Sequence, residues 1–310
     1  MIKTDLNNLY EEQLSNWTLA ANNFKSLASV KTKELTADGI EYVVQFNPAR
    51  IVSSAAKVDT KSIQERKCFL CAANRPAEQR GIEDGKYTIL LNPFPIFPQH
   101  LTIPDRAHVD QKIEGRMGDM LHLAKELDDY VIFYNGPKCG ASAPDHMHFQ
   151  AGNKGFLPIE MDIATIKKEL LLEQDGCELS LLADAPRNSL LLKGKDQEKL
   201  SNIFDKLYKN IPFTPEDIEP MLNLLAWYDE GEWYIILFLR KKHRPSCYHE
   251  VGDKQFLSSP ASVDLGGVFI TPVEKDFNRL DATLLKEILT EVSLSRSEVL
   301  DIINQLKSAL

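Results

Sequence analysis

The sequence predicts an α+β fold in two halves. Both halves run from strand-rich to helical, each carries a hairpin-like unit, and Phe156-Leu157-Pro158 marks a boundary beyond which helical spacing restarts. The expected domains are residues 1–157 and 158–310, and 310 residues are enough to bury a core in each.

In chain order, residues 1–35 read as helical and polar. Glu41 to Phe46 reads as a strand, and after Asn47-Pro48 a short second one follows at Arg50-Ile51-Val52-Ser53. A loop carrying Cys68 and Cys71 leads to strands at Tyr87–Leu91 and Leu101–Ile103, then a helix from about Val109 to Leu127 and a strand at Tyr130–Tyr134. Asn135 to Pro144 is rich in Gly, Ala, Pro and Ser and must be a loop. It delivers the chain into His146-Met147-His148-Phe149-Gln150, where strand alternation sets both histidines and the glutamine on one face and Met147 and Phe149 towards the core. In the second half Ile163–Glu173 has helical spacing, and Pro220–Tyr228 and Trp233–Arg240 form a hairpin about Asp229–Glu232. Two helices close the chain, the last capped by Ser295 and Glu298.

A net charge of −9 disfavours broad contact with nucleic acid or an anionic membrane, while a small phosphorylated ligand needs only local positive charge. No stretch reaches the length of a membrane span and the first residues lack a signal-peptide core, which points to a cytoplasmic protein. Five scattered cysteines do not suit a disulfide framework.

Three groups of residues carry chemistry. An unprotonated imidazole is a good nucleophile towards phosphorus near neutral pH, which makes His148 the candidate, with the Gln150 amide placed to hold a phosphoryl oxygen. The plain alternative is a histidine pair decorating a half-exposed strand. Cys68-Phe69-Leu70-Cys71 offers two thiolates to one zinc ion, with His100 and His146 as candidates for the further ligands; ordinary buried thiols or a redox dithiol are the alternatives. Arg240-Lys241-Lys242-His243-Arg244 gathers cationic groups at a strand end, fit either to clamp phosphates or simply to be solvated.

The order of "QFNPARIVSS", "CFLC", "NPFPIFPQH" and "GASAPDHMHFQAG" resembles the histidine-triad (HIT-like) superfamily in its transferase branch. That branch holds galactose-1-phosphate uridylyltransferase, diadenosine tetraphosphate phosphorylase and the GDP-hexose phosphorylases. The resemblance covers roughly residues 40–152. It implies two HIT-like halves, each an antiparallel sheet with flanking helices. It maps His148 onto the covalent nucleophile, Gln150 onto the phosphate-orienting glutamine, and Cys68, Cys71, His100 and His146 onto a structural zinc site. Asn47 and Arg50 become candidate substrate contacts. The family usually has a serine three residues before the first histidine, where this chain has Ala143, and Ser142 beside it is carried as a further contact. A looser likeness of "NLLAWYDEGEWYIILFLRKKHRP" to the phosphorylase C-terminal region adds Arg240 and Lys242.

The implied reaction is nucleotidyl transfer from a nucleoside diphosphate sugar or dinucleoside polyphosphate to phosphate or a sugar phosphate, by an enzyme that forms a homodimer. Two other readings stay open: a hydrolase with the same nucleophile, and a zinc-stabilised binding protein without catalysis.

Overall fold

A computed structural model describes residues 2–51, 59–182 and 186–308. Helices Ile2–Asn16 and Thr18–Leu27 open the chain, and strand β1 (Lys31–Ala37) takes the last part of the stretch expected to be helical. It turns into β2 (Ile40–Phe46) through Asp38 and Gly39 at φ 52° and 81°, the two positive values that a two-residue hairpin turn requires. The second strand expected at 50–53 is not formed at Arg50. Pro48–Arg50 make a 3-10 turn instead, with the proline's fixed φ at its start; Val52 and Ser53 lie outside the described residues.

Next come β3 (Gly81–Asp84), β4 (Tyr87–Leu91), β5 (His100–Pro104), helix Met117–Glu126, β6 (Tyr130–Asn135) and β7 (His148–Asn153). The helix starts later than periodicity suggests, because Gln111 is drawn inward to bond the backbone of residue 148. The helix expected at Ile163–Glu173 is replaced by the short helix Pro158–Asp162 and a strand, β8 (Lys168–Gln174). There Asp175-Gly176, at φ 55° and 79°, folds β8 onto β9 (Cys177–Leu182), and pairing overrides the helical preference of Lys, Glu and Leu. β10 (Leu190–Gly194), helix Gln197–Asn210, β11 (Leu222–Asp229), β12 (Glu232–Leu239) and β13 (Val268–Thr271) follow. Helices Ala282–Val292 and Arg296–Ser308 come last, and Ser295 N–H donates to Glu298 as the capping pattern predicts.

The strands make a ten-stranded antiparallel sheet in the order β3-β4-β5-β7-β6-β11-β12-β10-β9-β8, so each half contributes five strands and β6–β11 fuses them edge to edge. A second sheet, β1-β2-β13, unites the two ends of the chain, with β13 parallel to β2. Alternation assigns the faces. Ile132, Tyr134, Phe149, Leu224 and Ile235 pack under the helices 2–16, 117–126, 197–210 and 296–308. Val131, Phe133, Leu225 and Ile236 pack under the small sheet and helix 282–292. Met147 and Phe149 are fully buried on the first side, leaving His148 and Gln150 to the second.

Gly152 shows how tightly that second face is packed. A Cβ added there would lie 2.3 Å from the Phe97 ring, which stacks on Phe133 and meets Phe156 and His100. Gly152→Ala is therefore expected to cost about 1–3 kcal/mol, seen as a lowered urea midpoint at unchanged slope.

Candidate active site and metal centre

His148 begins β7 and is 5% exposed, in the lining of a cavity of about 630 Å³ to which both halves of the chain contribute. Its backbone is clamped by Gln111, whose Oε1 accepts from His148 N–H at 2.7 Å and whose Nε2 donates to the carbonyls of His148 and Asn135 at 3.0 and 2.9 Å. The imidazole Nδ1 lies 2.8 Å from the carbonyl oxygen of His146. A carbonyl can only accept, so Nδ1 carries the hydrogen and the lone pair sits on Nε2. Burial, opposed by that hydrogen bond, brings the imidazole pKa down to about 4, which keeps the ring neutral at physiological pH.

Gln150, Arg50 and Ser142 line the same cavity. Arg50 donates to the Phe94 carbonyl at 2.8 Å, and burial lowers its pKa only to about 10, so it stays cationic. Asn47 does not reach the cavity: its amide donates to Gln45 Oε1 and the Pro95 carbonyl, tying the Asn-Pro turn to the loop before β5. Arg240 and Lys242 are also elsewhere. Arg240 is 3% exposed and all five of its N–H groups are engaged, by the carbonyls of Val292, Pro260, Lys242 and His243 and by Asn223 Oδ1. Lys242 pairs with Glu291 on the surface. From the same basic run it is His243 and Arg244 that line the cavity, because the carbonyl grips of Arg240 turn the chain back inward there. Sequence pattern alone gives no sign of that reversal. Further polar residues that sequence reasoning left out also line it, among them Asn92, Asp264, Ser259, Arg66, Thr102 and Asn135.

The group able to hold a metal differs from expectation by one residue. Cys68, Cys71, His108 and His146 bring one ligand atom each to within 4.8 Å of one another, and His100 is not among them. His100 instead takes the Ile96 N–H on Nδ1 at 3.1 Å and sets Nε2 3.2 Å from Gln150 Oε1, on the cavity side of β5. His108 lies in the loop that leaves β5, four residues past the strand end at Pro104.

The cluster has the chemistry of a zinc site. His146 Nε2 lies 2.8 Å from the Asp105 carbonyl and so carries the hydrogen, which turns the Nδ1 lone pair towards Cys68 Sγ at 3.3 Å and Cys71 Sγ at 3.6 Å. His108 Nδ1 is 3.2 Å from Cys71 Sγ. Tetrahedral zinc with ordinary bond lengths sets nitrogen and sulfur ligands about 3.5 Å apart. Burial raises the Cys68 thiol, but the His146 imidazole and nearby backbone N–H groups outweigh it and bring the pKa down to about 6. His108→Ala is expected to abolish the metal content measured by plasma mass spectrometry, whereas His100→Phe should retain about one metal ion per chain.

Residues 9–153 match the family described as Domain of unknown function (DUF4922), and residues 161–310 match the family described as GDPGP1-like, C-terminal domain. The galactose-1-phosphate uridylyltransferase of Staphylococcus carnosus (strain TM300) is 26% identical over 121 residues, covering 38% of this chain and 24% of that protein. Diadenosine 5',5'''-P1,P4-tetraphosphate phosphorylase 2 of Saccharomyces cerevisiae is 32% identical over 128 residues, covering 36% of this chain and 38% of that protein. The chain thus spans well under two thirds of the length of either relative in these matches. The crystal structure of yeast Ap4A phosphorylase Apa2 superimposes with a TM-score of 0.59 at 17% identity, covering 89% of this chain and 96% of that one. Its complex with Ap4A gives 0.60 at the same identity and coverage. The yeast structures share the fold, and the sequence matches support the transferase branch of the HIT-like superfamily.

Proposed function

We propose that this chain is a nucleotidyltransferase of the phosphorylase kind, working through a covalent nucleotidyl-His148 intermediate. The observation that carries the reading is the orientation of His148: Nδ1–H is held by the His146 carbonyl, so the lone pair on Nε2 belongs to the cavity side of the ring. Nε2 attacks the α-phosphorus of a nucleoside diphosphate sugar or dinucleoside polyphosphate. The phosphorus–oxygen bond to the phosphorylated leaving group breaks, and that group departs with the electron pair. Phosphate or a sugar phosphate then attacks the same phosphorus, releasing a nucleotide and the free imidazole. Neither leaving group nor acceptor needs a proton from Gln150, whose amide serves to bind oxygen. Arg50 and Arg244 supply positive charge along the cavity for the polyphosphate, and Ser142 a hydroxyl.

Zinc, held by Cys68, Cys71, His108 and His146, would act as a structural clamp. His146 is two residues from His148 and its own carbonyl sets the nucleophile's tautomer, so fixing His146 fixes the aim of His148. A cytoplasmic location and a homodimer belong to the same proposal and are checked by fractionation and by size-exclusion chromatography.

The test is intact-protein mass spectrometry after incubation with UDP-glucose, GDP-glucose or diadenosine tetraphosphate in the absence of phosphate. An added mass of one nucleoside monophosphate, discharged by phosphate, is the expected result and names the base. Turnover without phosphate would identify a hydrolase. Ligand-induced thermal stabilisation with no adduct and no turnover would identify a binding protein.

A further inference from the structure

We infer that His100, which lies outside the metal centre, fixes which end of the Gln150 amide faces the cavity and is thereby a positioning residue for the phosphoryl contact. The inference rests on the role proposed above for Gln150 and adds the group that makes that role work.

The chain of reasoning starts at a backbone N–H. Ile96 N–H can only donate, and it lies 3.1 Å from His100 Nδ1, so Nδ1 carries a lone pair. His100 is wholly buried, and burial together with the nearby Arg50 charge pushes its pKa down to about 3, which leaves a neutral ring with its one hydrogen on Nε2. That hydrogen is donated to Gln150 Oε1 at 3.2 Å. Asn92 converges on the same oxygen. Its Oδ1 accepts from Phe94 N–H at 2.9 Å, so its Nδ2 is the donor end, reaching Thr102 Oγ1 at 2.9 Å and Gln150 Oε1 at 3.4 Å.

Two donors on one oxygen settle the amide. Turned over, Gln150 would set its own N–H groups against the N–H groups of His100 and Asn92, donor against donor. The 3.4 Å between His100 Nε2 and Asn92 Nδ2 is accordingly two donors meeting at a shared acceptor, with no bond between them. With Oε1 held, the Gln150 Nε2 hydrogens are the end left for the cavity that Gln150 and His148 line. The distinction is chemical: phosphoryl oxygens are acceptors only, so an NH2 end attracts them and a carbonyl end repels them. A side chain whose two ends are nearly equal in shape becomes a fixed donor because a histidine 50 positions earlier in the chain holds the other end.

The experiment has two arms. Long-range proton–nitrogen NMR on wild-type protein labelled in its histidines, near pH 7, is expected to show His100 as a neutral ring protonated on Nε2. A ring protonated on Nδ1, or a charged ring, overturns the inference whether or not any nucleotide is turned over. The second arm measures His100→Phe, Gln150→Ala and the double variant with whichever of UDP-glucose, GDP-glucose and diadenosine tetraphosphate the wild type phosphorolyses. Gln150→Ala is expected to lower kcat on the order of 10²–10³-fold, as loss of one oxyanion donor does, and His100→Phe by about tenfold or more with KM little changed. Most tellingly, His100→Phe should cost nothing further in the Gln150→Ala background; losses that multiply would show that His100 acts by another route. Should His100→Phe fail to fold, or no donor be turned over, the tautomer spectrum alone decides, separately from the fate of the proposed reaction.

Discussion

Replacing His148 by alanine is expected to lower phosphorolytic turnover by about 10⁴-fold or more and to abolish the covalent adduct, because a missing nucleophile removes both chemical steps at once. The fold should survive. His148 presents its ring to the cavity and its backbone to Gln111, and alanine keeps the backbone bonds at 2.7 and 3.0 Å. The thermal midpoint is therefore expected to move little while turnover collapses. A variant that loses turnover only a few-fold would mean that the phosphorus is attacked directly by the acceptor, and the two-step reaction would be abandoned. Nucleotide binding by the variant, followed by calorimetry, separates lost chemistry from lost binding.

The second large effect belongs to a residue that sequence pattern assigned to the substrate. Arg240→Leu is expected to destabilise the chain by about 3–5 kcal/mol, read from urea unfolding, since it orphans three buried and two part-buried acceptors together. The damage should spread to the site. Asn223 accepts from Arg240 at 2.5 Å and donates to Asn135 Oδ1 and the Cys139 carbonyl, both at 2.8 Å; Asn135 Oδ1 in turn accepts from Ser262 N–H at 2.9 Å. This network ties β6 of the first half to β11 and helix Ser262–Leu265 of the second, directly under the loop that leads to His148. Lys242→Ala is the control: its exposed pair with Glu291 should be worth no more than about 1 kcal/mol, and turnover should not change. Equal effects of the two substitutions would refute this division between strut and surface.

The part of the site that could be read from sequence is the part governed by strand alternation. Met147 and Phe149 had to face the core, so His148 and Gln150 had to share the other face, and they do, whereas His146, expected beside them, lies before β7 and turns to the Cys pair. The misplaced parts depend on how separate segments meet. His100 and His108 flank one short strand and its exit loop; which of them reaches Cys71 is decided by how residues 105–108 fold over the Cys turn, and no local pattern encodes that. Arg240 and Arg244 are alike in type and four residues apart, but the first continues a buried strand, bridging to Ser293, and the second follows a reversal. The strand at 168–174 was legible in principle. Asp175-Gly176 is a strong hairpin signal, as is Asp38-Gly39, and in both places the turn outranks the helical character of the residues before it. Fusion of the two five-stranded halves into one sheet, by contrast, rests on the pairing of β6 with β11, and although their apolar runs suit a sheet centre they do not name the partner.

The parallel pairing of β13 with β2 has a consequence for how the protein is made. Val43 finds Val268 only after about 225 further residues have been synthesised, roughly 10–45 s at ordinary ribosome speeds. Throughout that interval the first half carries β2 with one edge unpaired and the apolar face that β13 and helix 282–292 will cover. Nascent chains are thus exposed to aggregation and to chaperone capture for most of their synthesis, and severed first halves should precipitate. Asp264 and Ile270, on either side of the start of β13, are also walls of the cavity. A truncated chain therefore cannot present the finished pocket, so arrival of the late strand works as a checkpoint: only a polypeptide translated past residue 271 can complete its walls.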